Sequence, residues 1–208
     1  MQYYSELVLP RIIELACGSK RLVDWRKLAT DQLFGRVAEI GFGSGANFGL
    51  YPSSVSKVIA VEPSRVAMRI FDKKMARQNI QSEVDIVRLR ASAIALPLKD
   101  ASFDCVLLSF VLCSVGDSAT AMAEIKRILA PNGKVVFVEH GLAPTLGVQK
   151  VQFAFNRTEQ RVAGGCQLVL DAKLIISNAG FEVSVIKTGY GPGPRPWGYM
   201  TVGVGVLS

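Results

Sequence analysis

The sequence predicts an α/β protein in which a mostly parallel sheet carries helices on both faces and closes with a C-terminal antiparallel hairpin. Three observations predict it. Apolar runs of strand length alternate with helical stretches through the first two thirds of the chain, the order expected of a parallel sheet with crossover helices. The run Val37-Ala38-Glu39-Ile40-Gly41-Phe42-Gly43-Ser44-Gly45-Ala46-Asn47 passes from strand residues straight into alternating glycines, a pattern that brings backbone close to a nucleotide-like ligand at a helix N-terminus. Near the C-terminus, two β-rich runs flank Gly189-Tyr190-Gly191-Pro192-Gly193-Pro194-Arg195-Pro196-Trp197-Gly198. That segment is too rich in proline and glycine to be a strand, so the flanking runs are expected to pair as a hairpin at the sheet edge.

Residues 1–33 read as an N-terminal helical cap. Leu7, Val8, Leu9, Ile12, Ile13, Leu15 and Ala16 are interrupted by Glu6, Arg11 and Glu14, and no basic segment precedes them, so the stretch does not read as a signal peptide. Strands are expected at 36–41, 57–62, 84–89, 104–110 and 134–139, with helices at 46–51, 64–78 and 117–130. In the last helix Ala119, Met122, Ile125 and Leu129 recur at helical spacing until Pro131-Asn132-Gly133 stops it. Residues 142–165 read as irregular or helical, and about 142–168 as a lid inserted into a single domain spanning 34–208. A helix over 168–179 ends at Gly180, and strands at 181–188 and 199–206 bring the sheet to seven.

A chain of 208 residues is long enough to bury its own core without disulfide or metal staples. Half of the residues are hydrophobic and the mean hydropathy is +0.30, yet no apolar run approaches the roughly 18 to 20 residues of a membrane helix. Cys17, Cys105, Cys113 and Cys166 are widely spaced and form no C-x-x-C pair, which predicts reduced thiols in a cytoplasmic protein. The net charge of +7 comes from scattered Lys and Arg; it fits either a solvated basic surface or one that docks on an anionic membrane.

Taken alone, Gly41-x-Gly43-x-x-Ala46 also fits the relaxed dinucleotide fingerprint, so its context must decide. Val58-Ile59-Ala60-Val61-Glu62 ends in an acid about 20 residues beyond the turn, the spacing of a ribose-binding carboxylate. Leu96-Pro97-Leu98-Lys99-Asp100-Ala101-Ser102-Phe103-Asp104-Cys105-Val106 and Glu124-Ile125-Lys126-Arg127-Ile128-Leu129-Ala130-Pro131-Asn132-Gly133-Lys134 follow in order. Glu39 sits inside strand one, where dinucleotide dehydrogenases usually have an apolar residue. Together these segments resemble the class I S-adenosylmethionine-dependent methyltransferases over about residues 34–208.

The resemblance implies a Rossmann-like seven-stranded fold, S-adenosylmethionine as cofactor with S-adenosylhomocysteine as product, and no metal. It implies cofactor contacts at Glu39, Gly41, Gly43, Gly45, Glu62, Pro63, Ser92, Ala93 and Ser109: Glu39 orders the methionine end, Glu62 takes the ribose hydroxyls and Pro63 lies against the adenine. The chain departs from the family at Ala91-Ser92-Ala93-Ile94, where many relatives have Asp or Ser-Ala-Glu. The Ser92 hydroxyl and the Ala93 N–H are left to serve the base. Asp104 reads as a fold-stabilising carboxylate.

Leu112-Cys113-Ser114, Glu139-His140-Gly141, Ala163-Gly164-Gly165-Cys166, Asp171, Pro192-Gly193-Pro194 and Gly198-Tyr199-Met200 are together similar to a bacterial branch related to the methyltransferase-like 7 group. Characterised members of that group methylate small-molecule thiols, and its bacterial kin are often labelled phospholipid or quinone methyltransferases. Gln167 stands where the branch often has His, and the membrane anchor of the animal members is not expected here. The resemblance implies a small-molecule acceptor, a thiol first, with a lipid headgroup or quinone at a membrane surface as the alternative and a non-catalytic cofactor binder as a remote third.

Methyl transfer from an activated sulfonium asks the protein to hold the nucleophile in line, exclude water and, where needed, take a proton. His140 is the only histidine, and its place after strand five points it toward the ligand side of the sheet. There an imidazole of pKa ~6.5 serves as a base, as a positioning group or as a packed histidine. Phe110, Cys113, Arg161 and Tyr199 are the expected substrate contacts, Cys113 being equally readable as a small buried hydrophobe. Phe153, Phe155, Tyr190, Trp197 and Tyr199, with Arg157, Arg161 and Arg195, suit an apolar acceptor bearing an acidic group, or are ordinary core. Nucleic acid is not an expected partner, because Ser109-Phe110-Val111-Leu112 lacks the Asn/Asp-Pro-Pro-Tyr/Phe signature and no RNA-binding module is present. The sequence leaves the oligomeric state open.

Overall fold

In the computed structural model, which describes residues 8–78 and 84–207, seven strands form one sheet: β1 (Gly35–Ile40), β2 (Val55–Val61), β3 (Asp85–Leu89), β4 (Phe103–Ser109), β5 (Leu129–His140), β6 (Phe181–Tyr190) and β7 (Tyr199–Leu207). Their order is β3-β2-β1-β4-β5-β7-β6. The first five run parallel, and β7 lies antiparallel between β5 and the edge strand β6. The expected fold class and closing hairpin are both present. Around the sheet lie α1 (Leu9–Cys17), α2 (Val23–Thr30), α3 (Arg65–Gln78), α4 (Ser118–Ile128), α5 (Leu146–Val162), α6 (Ala172–Asn178) and α7 (Arg195–Gly198). Leu7 and Glu6 of the N-terminal stretch lie outside the described residues.

Side chains alternate between the two faces of a strand, and that parity sorts the core. Ala38 and Ile40, Val106 and Leu108, and Val135 and Phe137 pack with Met122, Ile125 and Ile128 of α4 and Ile176 of α6. The opposite parity, Val37, Cys105, Leu107, Val136 and Val138, packs under Leu22, Trp25 and Ala29 around α2. On that side too, Ala60 meets Phe42 and Phe71 of α3. Strands buried on both faces need apolar residues at every position, so a polar residue among them has a specific reason. Glu39 shares the parity of Val37 and is thereby driven toward α2.

Two expectations are corrected. The helix expected at 46–51 is a series of turns. The N–H groups of Gly45, Phe48 and Leu50 donate to carbonyls three residues back, and Gly43, Gly45 and Gly49 all have positive φ, which interrupts helix propagation. Pro131-Asn132-Gly133 does not separate helix from strand, because β5 starts at Leu129 directly after α4. Leu129 pairs with Phe103, the register then shifts, and Asn132 takes a φ of 66°. The proline-rich loop before β7 contains the single helical turn α7. The segment read as irregular or helical is mostly the 17-residue helix α5.

Three aspartates set local boundaries. Asp117 caps α4 by accepting the Thr120 N–H at 3.0 Å, and Asp171 caps α6 by accepting that of Leu174 at 3.0 Å. Asp104 Oδ2 accepts the Arg36 N–H at 2.7 Å and ties the start of β1 to β4. Beside it Gly35 has a φ of +61°, and a Cβ there would lie 2.7 Å from Asp104 Cγ. Gly35→Ala is therefore expected to cost about 2 kcal/mol, read as a lower urea-unfolding midpoint with an unchanged m-value.

Candidate active site

At the carboxyl ends of β1 and β2, a cleft opens between the glycine turn and α1. Gly41 and Phe42 both donate their N–H to the Val61 carbonyl, at 2.9 and 3.0 Å, which pins the turn to the end of β2. A Cβ on Gly41 would lie 2.5 Å from Val111 Cγ2 at a φ of +72°, so only glycine fits. Gly43, where a Cβ would meet the Gly41 carbonyl oxygen at 3.8 Å, donates its N–H to Glu62 Oε2 at 2.9 Å, while Ser64 donates to Glu62 Oε1 at 2.7 Å. Burial pushes the Glu62 carboxyl up, against those two N–H groups.

Glu39 lies at the cleft floor and is 1% exposed. It accepts from Asn47 Nδ2 at 2.8 Å and from the Tyr51 hydroxyl. Arg26 of α2, itself 4% exposed, donates through Nη1 to Asn47 Oδ1 at 3.0 Å and to Ser109 Oγ at 2.6 Å, and through Nη2 to the Cys17 carbonyl. Its guanidinium carbon stands 4.9 Å from the Phe110 ring centroid. Burial raises the Glu39 carboxyl to about 7, although Tyr51, Asn47 and Arg26 all pull it down. The cleft thus offers a carboxylate and a guanidinium side by side, the complement of a zwitterionic amino-acid end, which fits the methionyl portion of S-adenosylmethionine.

A second, largely apolar pocket of about 400 Å³ adjoins the first, with Leu9, Ile13, Cys17 and Phe110 lining both. Trp197, Met200 and Pro192 add apolar wall, and Cys113, His140 and Cys166 form a polar corner. His140 Nε2 lies 3.2 Å from Cys166 Sγ. The neighbouring Glu139 accepts the Val111 and Leu112 N–H groups at 2.7 and 2.9 Å, holding the turn in which Phe110 has a φ of 56°. The Cys113 thiol holds that of Cys166 below the ordinary range, with His140 adding to the effect. Burial disfavours the imidazolium, but Cys166 and Glu139 outweigh it and raise the His140 pKa.

A family model described as a methyltransferase domain matches residues 38–137. The thiol S-methyltransferase TMT1B of Rattus norvegicus is 33% identical over 164 residues, covering 77% of this chain and 65% of that protein. A demethylmenaquinone methyltransferase of Renibacterium salmoninarum is 32% identical over 127 residues, covering 59% and 50%. An S-adenosylmethionine-dependent methyltransferase of Thermotoga maritima superposes with a TM-score of 0.68 at 22% identity, over 100% of this chain and 99% of that one. This chain belongs to the class I S-adenosylmethionine-dependent methyltransferases. It spans 65% of the length of the rat thiol methyltransferase.

In this chain, Glu39, Gly41, Gly43, Glu62, Ser109 and Phe110 line the cleft together. Gly45 lies behind it, where a Cβ would meet Phe71. Pro63, Ser92 and Ala93 are not among the lining residues: Pro63 and Ser92 are exposed and Ala93 is half-buried. Of the expected acceptor contacts, Phe110 and Cys113 line the second pocket, as does His140. Arg161 is exposed on α5, and Tyr199 lines a separate hollow with Leu142 and Thr188. Adjacent strand residues face opposite ways, so Met200 takes the pocket wall in place of Tyr199. Sequence reasoning missed Arg26, Tyr51, Glu139 and the meeting of Cys166 with Cys113. Asn47 belonged to the quoted glycine run, a polar side chain beside the turn, but no local signal marked Arg26.

Proposed function

We propose that this chain transfers the methyl group of S-adenosylmethionine to a small-molecule thiol seated in the apolar pocket. The observation that carries this reading is the shared wall: Leu9, Ile13, Cys17 and Phe110 border both cavities, so an acceptor in one lies directly beside the reacting end of a ligand in the other. The similarity to a thiol S-methyltransferase supports sulfur as the nucleophile.

Glu39 holds the methionyl ammonium, Arg26 the carboxylate, Glu62 the ribose hydroxyls, and the Gly43 backbone borders the sulfonium. Pro63, Ser92 and Ala93 serve the adenine where it extends past Glu62 and Ser64. Bound S-adenosylmethionine supplies an activated methyl group. The chain orients the acceptor and excludes water, with α1 over the cleft and the α5 segment serving as the lid. The acceptor sulfur lies at the polar corner of His140, Cys113 and Cys166. His140→Ala is expected to lower thiol turnover at least ~10-fold with unchanged S-adenosylmethionine affinity, measured with labelled cofactor over thiols, amines, phenols, lipids and quinones. Turnover confined to another acceptor class overturns the thiol reading. Cofactor binding with no turnover of any class points to a non-catalytic binder.

A second reading places the same transfer at a membrane surface. Ile12 and Ile13 of α1 and Trp197 line the pocket and are exposed, and Phe155, 51% exposed, stands 6.2 Å from Trp197. Such a patch suits an interfacial contact, and the similarity to a quinone methyltransferase agrees with it. No helix among the described residues is long and apolar enough to cross a membrane. Liposome co-sedimentation decides: no binding at any ionic strength excludes the surface reading.

A further inference from the structure

We propose that Cys113 Sγ, His140 Nε2 and Cys166 Sγ form a site for one soft divalent cation, zinc being the best match, with its open position facing the acceptor pocket. The three side chains offer ligand atoms that all lie within 4.8 Å of one another. Ligands around a four-coordinate zinc, at roughly 2.3 Å for sulfur and 2.0 Å for nitrogen, stand only a little closer together than that. Two thiols and an imidazole, with no carboxylate in the set, favour zinc over the hard cations magnesium and calcium.

The ligands are held by structure rather than by chance proximity. Cys113 follows the turn that Glu139 pins, and its carbonyl accepts the Gln167 N–H at 3.0 Å, which joins that turn to the one after α5. Gly164 and Gly165, with φ of 64° and 91°, reverse the chain immediately before Cys166. Asn156 Oδ1 accepts the Leu168 N–H at 2.8 Å on the other side of it. His140 ends β5 and is paired with Met200 of β7. Three ligands from three separate segments, with a pocket of about 400 Å³ on the open side, make the pattern of a catalytic rather than a structural zinc site.

Resting on the thiol reading above, the fourth ligand is the acceptor sulfur. On coordination R–SH loses its proton to solvent, because a metal-bound thiol is deprotonated outright. The thiolate electron pair forms the new S–CH3 bond as the bond from methyl to the sulfonium breaks. That bonding pair returns to sulfur in S-adenosylhomocysteine, and the cation changes neither charge nor oxidation state. The neutral thioether product is a weaker ligand and leaves. In this role His140 is a ligand, not a base, and the site departs from the metal-free expectation that the family resemblance implies.

The full-length chain, stripped with chelator under reducing conditions, is dialysed against zinc or cobalt(II). One equivalent of zinc is expected to remain on the wild type and none on the Cys113→Ser/Cys166→Ser double variant, with far-UV circular dichroism reporting its fold. Cobalt is expected to give thiolate charge-transfer absorption that changes when a small thiol is added. In the wild type, needing no variant, one equivalent of zinc is expected to slow alkylation of Cys166 at least tenfold. Equal zinc on wild type and a folded double variant, or alkylation indifferent to zinc, overturns the site. A cobalt spectrum unmoved by thiols, or thiol turnover undiminished in metal-free enzyme, overturns the zinc-bound acceptor while leaving the thiol reading standing. Stoichiometric zinc without any thiol turnover overturns the thiol reading and upholds the site.

Discussion

Arg26→Met is expected to destabilise the fold by about 3 kcal/mol and to weaken S-adenosylmethionine binding at least ~10-fold, read by urea unfolding and calorimetric titration. The substitution nearly conserves volume but removes the donor to Asn47 Oδ1, Ser109 Oγ and the Cys17 carbonyl. It also leaves Glu39, 1% exposed, without a cation. Asn47 bridges the two buried charges, and deleting one partner of a buried charge pair costs about 3–5 kcal/mol. The lower end applies because Glu39, already raised to about 7 by burial, takes up a proton when Arg26 is lost. Protonation limits the cost to the fold and for the same reason removes the charge proposed to hold the methionyl ammonium. An Arg26→Met protein with native cofactor affinity would place the methionine end elsewhere.

Cofactor affinity is expected to rise as pH increases through about 7, while the stability of the free protein falls. Glu39 titrates near 7 in the fold, raised from 4.5 chiefly by desolvation. Its contribution to stability is fully present below about pH 4.5 and is lost as pH rises through about 7, because the unfolded chain gives up the proton first. The difference is roughly 3 kcal/mol at one pKa unit per 1.36 kcal/mol. With the ammonium held by the carboxylate as proposed, ligand binding has the opposite sign; above about pH 8 the ammonium itself deprotonates and affinity declines again. In Glu39→Gln the rise through 7 is expected to vanish and affinity at pH 8 to drop at least ~10-fold. Glu139 is also raised to about 7 but is common to both proteins, so the difference in their unfolding profiles isolates Glu39. Parallel profiles would separate Glu39 from the cofactor.

The parts of the site that could be read in advance are those whose chemistry is local. Gly41 and Gly43 are recognisable because positive φ and close approach are demands on single residues, and Glu62 because the end of β2 lies at a fixed distance beyond the turn. The helix expected at 46–51 failed for a related reason: Gly49 has a φ of 82°, and apolar spacing does not report backbone that turns on every third residue. Tyr199 and Met200 are neighbours in sequence and opposites in space, since strand parity decides which enters the pocket.

The sequence by itself determined the fold class, the glycine turn and the family, because strand alternation, glycine conformation and the order of elements are properties of contiguous residues. The tertiary structure alone decided the rest. Arg26 reaches Asn47, and through it Glu39, only when α2 packs on the face shared by Val37 and Leu107. Cys113, His140 and Cys166 meet only when the turn after β4, the end of β5 and the turn after α5 converge. Both constellations are non-local contacts, and no periodicity along the chain encodes a distance that exists only after the sheet has formed.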